Sequence, residues 1–287
     1  MSALTEVQLT AAREFRRNLR SAKGIAMIVL FVIGGTILPL LRVLLMRAAK
    51  NLTGATELNV EQRKELWKAW LEKLHEADVA KHLMDCPPVL YFLFWTTTAF
   101  VPFFILMMGF DQIAGDVQHR TLRYMTGRAH RGALVAGKAL GVWGVISVMI
   151  LLLHIVVWGL ALAQGTDPLK DIMTWGPRIW LFSSVYAAAY VGLISLVSSF
   201  FRTPVVGLFL GMGVLITMVV LNLIVSVFKE STSYKWIYQA RWVFPSSYYD
   251  LLLSPDVVFL LAGLAALLGW GALCVTAASE VVRRRDI

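Results

Sequence analysis

ALGVWGVISVMILLLHIVVWGLALA, residues 139–163, runs for 25 residues without an Asp, Glu, Lys or Arg. About 20 mostly apolar residues cross the ~30 Å hydrocarbon core of a bilayer. A lipid-exposed segment at that depth satisfies its backbone within itself only as a helix. Working outward from this run, the same test finds Gly24–Met46, Val89–Phe110, Ile179–Phe200, Val205–Phe228 and Val257–Ala278. The composition agrees: 58% of the residues are hydrophobic and only 16% charged, against about 25% charged in a soluble domain. The expected fold is an all-α integral membrane protein. Residues 1–23 form an N-terminal amphipathic interfacial helix, and residues 24–287 form a domain of six transmembrane helices. The first apolar run is longer than the core of a cleaved signal and is expected to remain in the protein.

With six spans both termini lie on one side. Segments 1–23, 111–138, 201–204 and 280–287 then hold 14 Lys/Arg in 63 residues, against 11 in 81 for 47–88, 165–177 and 229–254. The denser side is read as cytoplasmic, so both termini are expected inside. This pattern also accounts for the formal charge of +9. Basic flanks serve topology and anionic lipid, and no aromatic-basic RNA motif accompanies them, so no nucleic-acid partner is expected.

In the N-terminal segment Leu4, Val7, Ala11, Phe15, Leu19 and Ala22 recur on one helical face, while Arg13, Arg16, Arg17, Arg20 and Lys23 fill the others. Such a helix anchors in the interface or docks a partner. In the first span, Arg42 near the outer end has the reach to snorkel to headgroups. The external helical loop 47–88 carries a helix of its own within 56–85, with Asn59 as N-cap and Leu66, Trp67, Trp70, Leu71 and Leu74 as an apolar stripe. His75 and His82 stand seven apart, not at the i, i+4 spacing of a zinc helix, and no metal site is expected. Cys86 and Cys274 fall in different environments and are not expected to pair. Gly137-x-x-x-Gly141 and Gly207-x-x-x-Gly211 permit close helix approach, either within the chain or between copies. The external segment 229–255, rich in Trp and Tyr, is long for a bare loop and is expected to form short helices dipping into the membrane beside protein.

The segment joining the second and third spans reads DQIAGDVQHRTLRYMTGRAHRGALVAGK, residues 111–138. A short helix is expected from about Asp111 to Thr126, stopped by Gly127, before a second start into the third span. The order of residues resembles the first cytoplasmic loop of ABC transporter permeases of the ABC-2 type. Such loops run acid, Gly-Thr-Leu, Thr-x-Pro-x-x-Arg, then Gly-Lys at the mouth of the third span. Asp116, Thr121-Leu122, Thr126, Arg131 and Gly137-Lys138 fall at matching places; Arg120 stands where the family has Gly, and Arg128 near its Pro. The resemblance implies that 111–138 is a coupling helix received by a separate cytoplasmic ABC ATPase subunit, present in two copies. Asp111, Asp116, Arg120, Thr121, Leu122, Arg128, Arg131 and Lys138 would serve that contact, with Arg202 in the short fourth-to-fifth turn as a second one. It also implies a second permease copy, most simply a homodimer, and export across the cell (inner) membrane. ATP and magnesium would be bound by the partner. Gly132-Ala-Leu-Val-Ala-Gly137-Lys138-Ala139 misses the phosphate-binding pattern at its last position, where Ala139 has no hydroxyl for magnesium, so no cofactor is expected on this chain.

No span centre carries an Asp, Glu or Lys, which argues against an ion-coupled carrier and suits an amphipathic cargo. By the resemblance the substrate path runs between copies along the second and fifth spans, where Thr97 and Asn222 are the candidates. Two other readings stand beside this one: an intramembrane enzyme built on His154, and a non-catalytic scaffold held to an envelope partner by the outer helix.

Overall fold

The computed structural model describes residues 2–53, 60–121, 130–165, 168–230 and 235–285. Asn59, Leu122, Arg128 and the side chain of Arg42 lie outside this description. Every regular element among the described residues is helical. The N-terminal helix Ala3–Arg20 is followed by the first span, Ala22–Thr53. Pro88–Gly109, Arg131–Gln164, Leu169–Phe200, Pro204–Val227 and Val257–Arg284 are the second to sixth. Among the described residues five helices, the second to sixth spans, are long and apolar enough to cross a membrane, and a sixth crossing is formed if the N-terminal helix and the first span, bent by 71° at Ser21, are taken together.

The spans outrun the apolar stretches that announce them. The third begins at Arg131, eight residues before the apolar run at Ala139, and reaches 34 residues, about 50 Å at 1.5 Å per residue. Roughly 20 Å of it therefore stands clear of a 30 Å hydrocarbon core. Protein contacts hold this extension. A methyl group at Gly137 would lie 2.5 Å from Thr10 Cβ, and one at Gly141 2.6 Å from Glu14 Cβ. The glycines thus let the N-terminal helix lie directly along the third span, in the same direction, with Phe15 reaching Gly144. Part of the amphipathic face is thus spent on contact with protein. Val7, Ala11, Phe15 and Leu19 turn partly inward, but toward protein, and Leu4 and Ala22 stay exposed.

The fourth span is the most enclosed, 78% of its apolar window lying inside the protein, and the fifth the least, at 11%. Trp143 Nε1 donates to the Ser184 carbonyl at 2.8 Å and Trp180 Nε1 to the Ser147 carbonyl at 3.1 Å, stapling third to fourth. The fourth and sixth cross where a methyl at Gly192 would meet the Gly271 carbonyl oxygen at 2.4 Å. Phe31 packs edge-on against Phe104, bringing the first span to the second. Gly207 and Gly211 face Phe110 and Leu106 of the second span. Both glycine pairs therefore serve packing within one chain.

At the end away from the termini, Val60–Leu74 and Ala77–Leu83 cover the second and fourth spans. Of the expected stripe only Leu71 is buried, while Leu66 and Leu74 remain exposed. Trp67 stacks on Trp70 at 5.1 Å, and both rings rest on Tyr91 and Phe92. His75 bonds Asp250 and Tyr91, at 3.1 and 2.7 Å. His82 Nε2 accepts from Arg178 at 3.2 Å. Both histidines are thus engaged by protein groups. Residues 235–252 form short helical turns that re-enter the bundle. Trp270, thirteen residues along the sixth span from Val257, donates to the Val243 carbonyl at 3.1 Å, and Tyr249 stacks on Phe94 at 4.9 Å. Irregular backbone persists at such depth only against protein.

Candidate functional site

The second span ends at Gly109, the chain turns, and a short helix, Ala114–Gln118, forms the elbow; Thr121 is helical again, at the edge of the described residues. The expected continuous helix is interrupted at His119 and Arg120, and its end near Thr126 lies outside the described residues. The elbow helix ends at His119 because Arg120 adopts a left-handed backbone, φ 56°, where the resemblance placed Gly. An L-residue pays a steric penalty there that Gly does not.

The elbow is held by side chains from four directions. Ser198 Oγ accepts from Ile113 N and Ala114 N, both at 3.1 Å, and donates to the Phe110 carbonyl at 2.9 Å. One hydroxyl of the fourth span thus closes the turn that has lost its helical partners. Ser195 Oγ donates to Gln112 Oε1 at 3.3 Å. Lys23, at the start of the first span, pairs with Asp111 at 2.9 Å and lies over the Phe110 ring. At the centre is Lys138, only 1% exposed. Its ammonium lies 2.7 Å from Asp116, 3.6 Å from Glu14 and 3.0 Å from the Gln112 carbonyl. Glu14, itself buried, also pairs with Arg17 on its own helix. Asp116 accepts from Thr121 Oγ1 at 3.0 Å. A buried charge demands partners, because an ion without them costs several kcal/mol. Here one cation binds together the N-terminal helix, the elbow and the third span.

Arg131 turns away from the elbow tip. Its Nη1 donates to the carbonyls of Val282, Arg283 and Arg285 at 3.3, 2.8 and 3.2 Å. Arg202 is exposed in the fourth-to-fifth turn, and a methyl at Gly115 would lie 4.0 Å from Pro204 Cγ. The elbow and that turn are therefore neighbours. His119, Arg120 and Thr121 join Arg202 and Thr203 on the exposed surface.

Of the expected coupling residues, Asp111, Asp116 and Lys138 make internal ion pairs, Arg131 caps a helix, and Arg120, Thr121 and Arg202 face outward. Glu14, Ser198 and Gln112 were not foreseen. Glu14 left one trace in the sequence, as an acid on the Val7–Ala11–Asn18 face of a helix whose other charged residues are four arginines and Glu6. Thr97 is 1% exposed, inside the protomer. Asn222 donates to Ser246 at 3.1 Å and accepts from Ser247 at 3.3 Å, tying the fifth span to the re-entrant turns. His154 Nδ1 donates to the Ile150 carbonyl of its own helix and its ring packs against Trp158. Among the described residues no acid or cysteine bonds to it.

The arrangement is a joint of opposed charges between two long helices, with a small exposed tip. A search of curated proteins finds no match to this sequence. The family model for ABC-2 family transporter proteins matches residues 9–275, from within the N-terminal helix to the sixth span, and this chain belongs to that family.

Proposed function

We propose that this permease subunit of an ABC transporter takes force from a separate cytoplasmic ATPase subunit at the tip formed by His119, Arg120, Thr121, Arg202 and Thr203, and passes it to the spans through the ion-paired elbow. Two ATPase copies serve two permease copies, most simply a homodimer, in the cell (inner) membrane with both termini cytoplasmic. ATP and magnesium belong to the ATPase. The cargo is hydrophobic or amphipathic and is exported. The fifth span, with Phe209, Val219, Leu223 and Val227 exposed, offers the face for the second copy, and Asn222 stands at the outer end of that route. A path bordered by Thr97 would run within the protomer instead.

One observation supports this reading: Lys138 of the third span, buried and paired to Asp116 and Glu14, ties that span to the elbow. A joint that cannot flex moves the helices it joins. The test is co-purification of the chain with its ATPase subunit, with ATP hydrolysis as readout. Arg120→Glu with Arg202→Glu reverses the exposed charge and is expected to weaken the complex at least tenfold at unchanged permease Tm. An unaltered complex, or labelling of a cysteine at position 119 from outside intact cells, overturns the proposal.

A further inference from the structure

The end of the sixth span is bonded to the start of the third span and to the start of the fourth-to-fifth turn. Helices end with carbonyls that lack partners and carry partial negative charge. Here the carbonyls of Val282, Arg283 and Arg285 converge on the guanidinium of Arg131, which is the first residue of the third span. Arg285 in turn donates from Nη1 to the Phe201 carbonyl at 3.3 Å, at the start of the fourth-to-fifth turn. Beneath these bonds Ile113 of the elbow, Leu134 and Val135 of the third span, and Ala278 and Val282 of the sixth form a small buried core of their own. This cluster is separate from the main core of the bundle. A bare helix end needs only a cap. This one meets two arginines: Arg131, received from the start of the third span, and its own Arg285, given to the turn, while Ile113 of the elbow packs against Ala278 and Val282 beside them.

We infer that the C-terminal end of the sixth span is a clamp that fixes the elbow and the fourth-to-fifth turn at a set separation, with Arg131 and Arg285 as its positioning residues. An ATPase subunit pushing on either contact then moves both, together with the sixth span. The inference deepens the proposed coupling role and rests on it for its purpose, although the clamp itself is a property of the permease alone. Arg131 suits the task because it stays charged and its Nη1 lies within reach of three carbonyls at once.

The test places spin labels at His119→Cys and Thr203→Cys, both exposed, in permease reconstituted into nanodiscs and diluted with unlabelled copies. The native Cys86 and Cys274 are buried. The 119–203 distance distribution is expected to be narrow, to at least double in width in Arg131→Ala and in Arg285→Ala, and to narrow again in Arg131→Lys, which keeps a cationic donor. Arg285→Ala, farther from the core, serves if Arg131→Ala fails to fold. A bond that merely stabilises the protein would lower Tm without broadening the distribution, so unchanged width in the folded variants overturns the clamp. With the ATPase subunit bound and trapped by ATP and vanadate, the 119–203 distance is expected to hold while the distance between the 119 positions of two copies changes. A change in 119–203 there also overturns the clamp. Failure of any ATPase to bind overturns the coupling proposal alone, since the nanodisc measurement stands without it.

Discussion

Lys138 concentrates the risk and the use of this fold in one side chain. Removing it leaves Asp116 without its cation and Glu14 with Arg17 alone, and breaking a buried pair on one side costs about 3–5 kcal/mol. Lys138→Met is therefore expected to lower Tm sharply or abolish folded yield. The triple variant Lys138→Met, Asp116→Asn, Glu14→Gln is expected to recover most of the loss, because no charge is then stranded; thermal unfolding in detergent reads both. A recovery absent from the triple variant would show that the charges are not what holds the site. Arg120 presents a different account at the same scale. With φ at 56°, Arg120→Gly is expected to raise stability or leave it level, since Gly occupies that region without a Cβ clash. Arg120→Val, β-branched, is expected to lose about 1–2 kcal/mol. The same thermal assay, run beside ATPase binding, separates this backbone effect from loss of the exposed charge.

Helices here are fastened at their ends by a few side chains, and the fastening at the end away from the termini is expected to respond to pH. Burial first, then the Arg178 guanidinium, lowers the pKa of His82 from its usual 6.5, with Asp85 opposing. The neutral ring accepts from Arg178 at 3.2 Å; protonated, it would present a second cation. A lowered histidine pKa contributes stability that is fully present above the unfolded value and lost as pH falls below it toward the folded one. The Ala77–Leu83 helix is accordingly expected to loosen as pH drops below about 6.5, seen as faster hydrogen exchange in that helix. His82→Gln, which keeps an acceptor and does not titrate, is expected to flatten that dependence. At the other end, the short elbow helix survives because Ser198 satisfies its first backbone donors and Phe110 at once. Five residues of helix have no stability of their own.

Across the whole molecule, the enclosed fourth span sets the arrangement, and its closest approach is backbone to backbone. Gly192→Val would press a side chain onto the Gly271 carbonyl, 2.4 Å from a Cβ. Neither backbone can retreat as a flexible side chain could. The fourth–sixth contact is expected to open at a cost of about 2–4 kcal/mol, measured as lost Tm and as new accessibility of a cysteine placed in that seam. Much of the scaffold could be read before any coordinates: the apolar runs mark every span, since a bilayer demands about 20 such residues in a row. The basic N-terminal helix and the re-entrant aromatic segment were legible for similar local reasons. Span ends were not, because the third and sixth helices continue past their apolar stretches on the strength of contacts the pattern does not record. Nor was the direction in which Arg131 points, or the partner of Lys138. Glu14 and Asp116 stand 124 and 22 positions from Lys138, and nothing in local periodicity relates them. Hydropathy is a property of neighbours along the chain and determined the crossings by itself. The pairing of buried charges depends on which helices meet and at what height, and only the tertiary packing decided that.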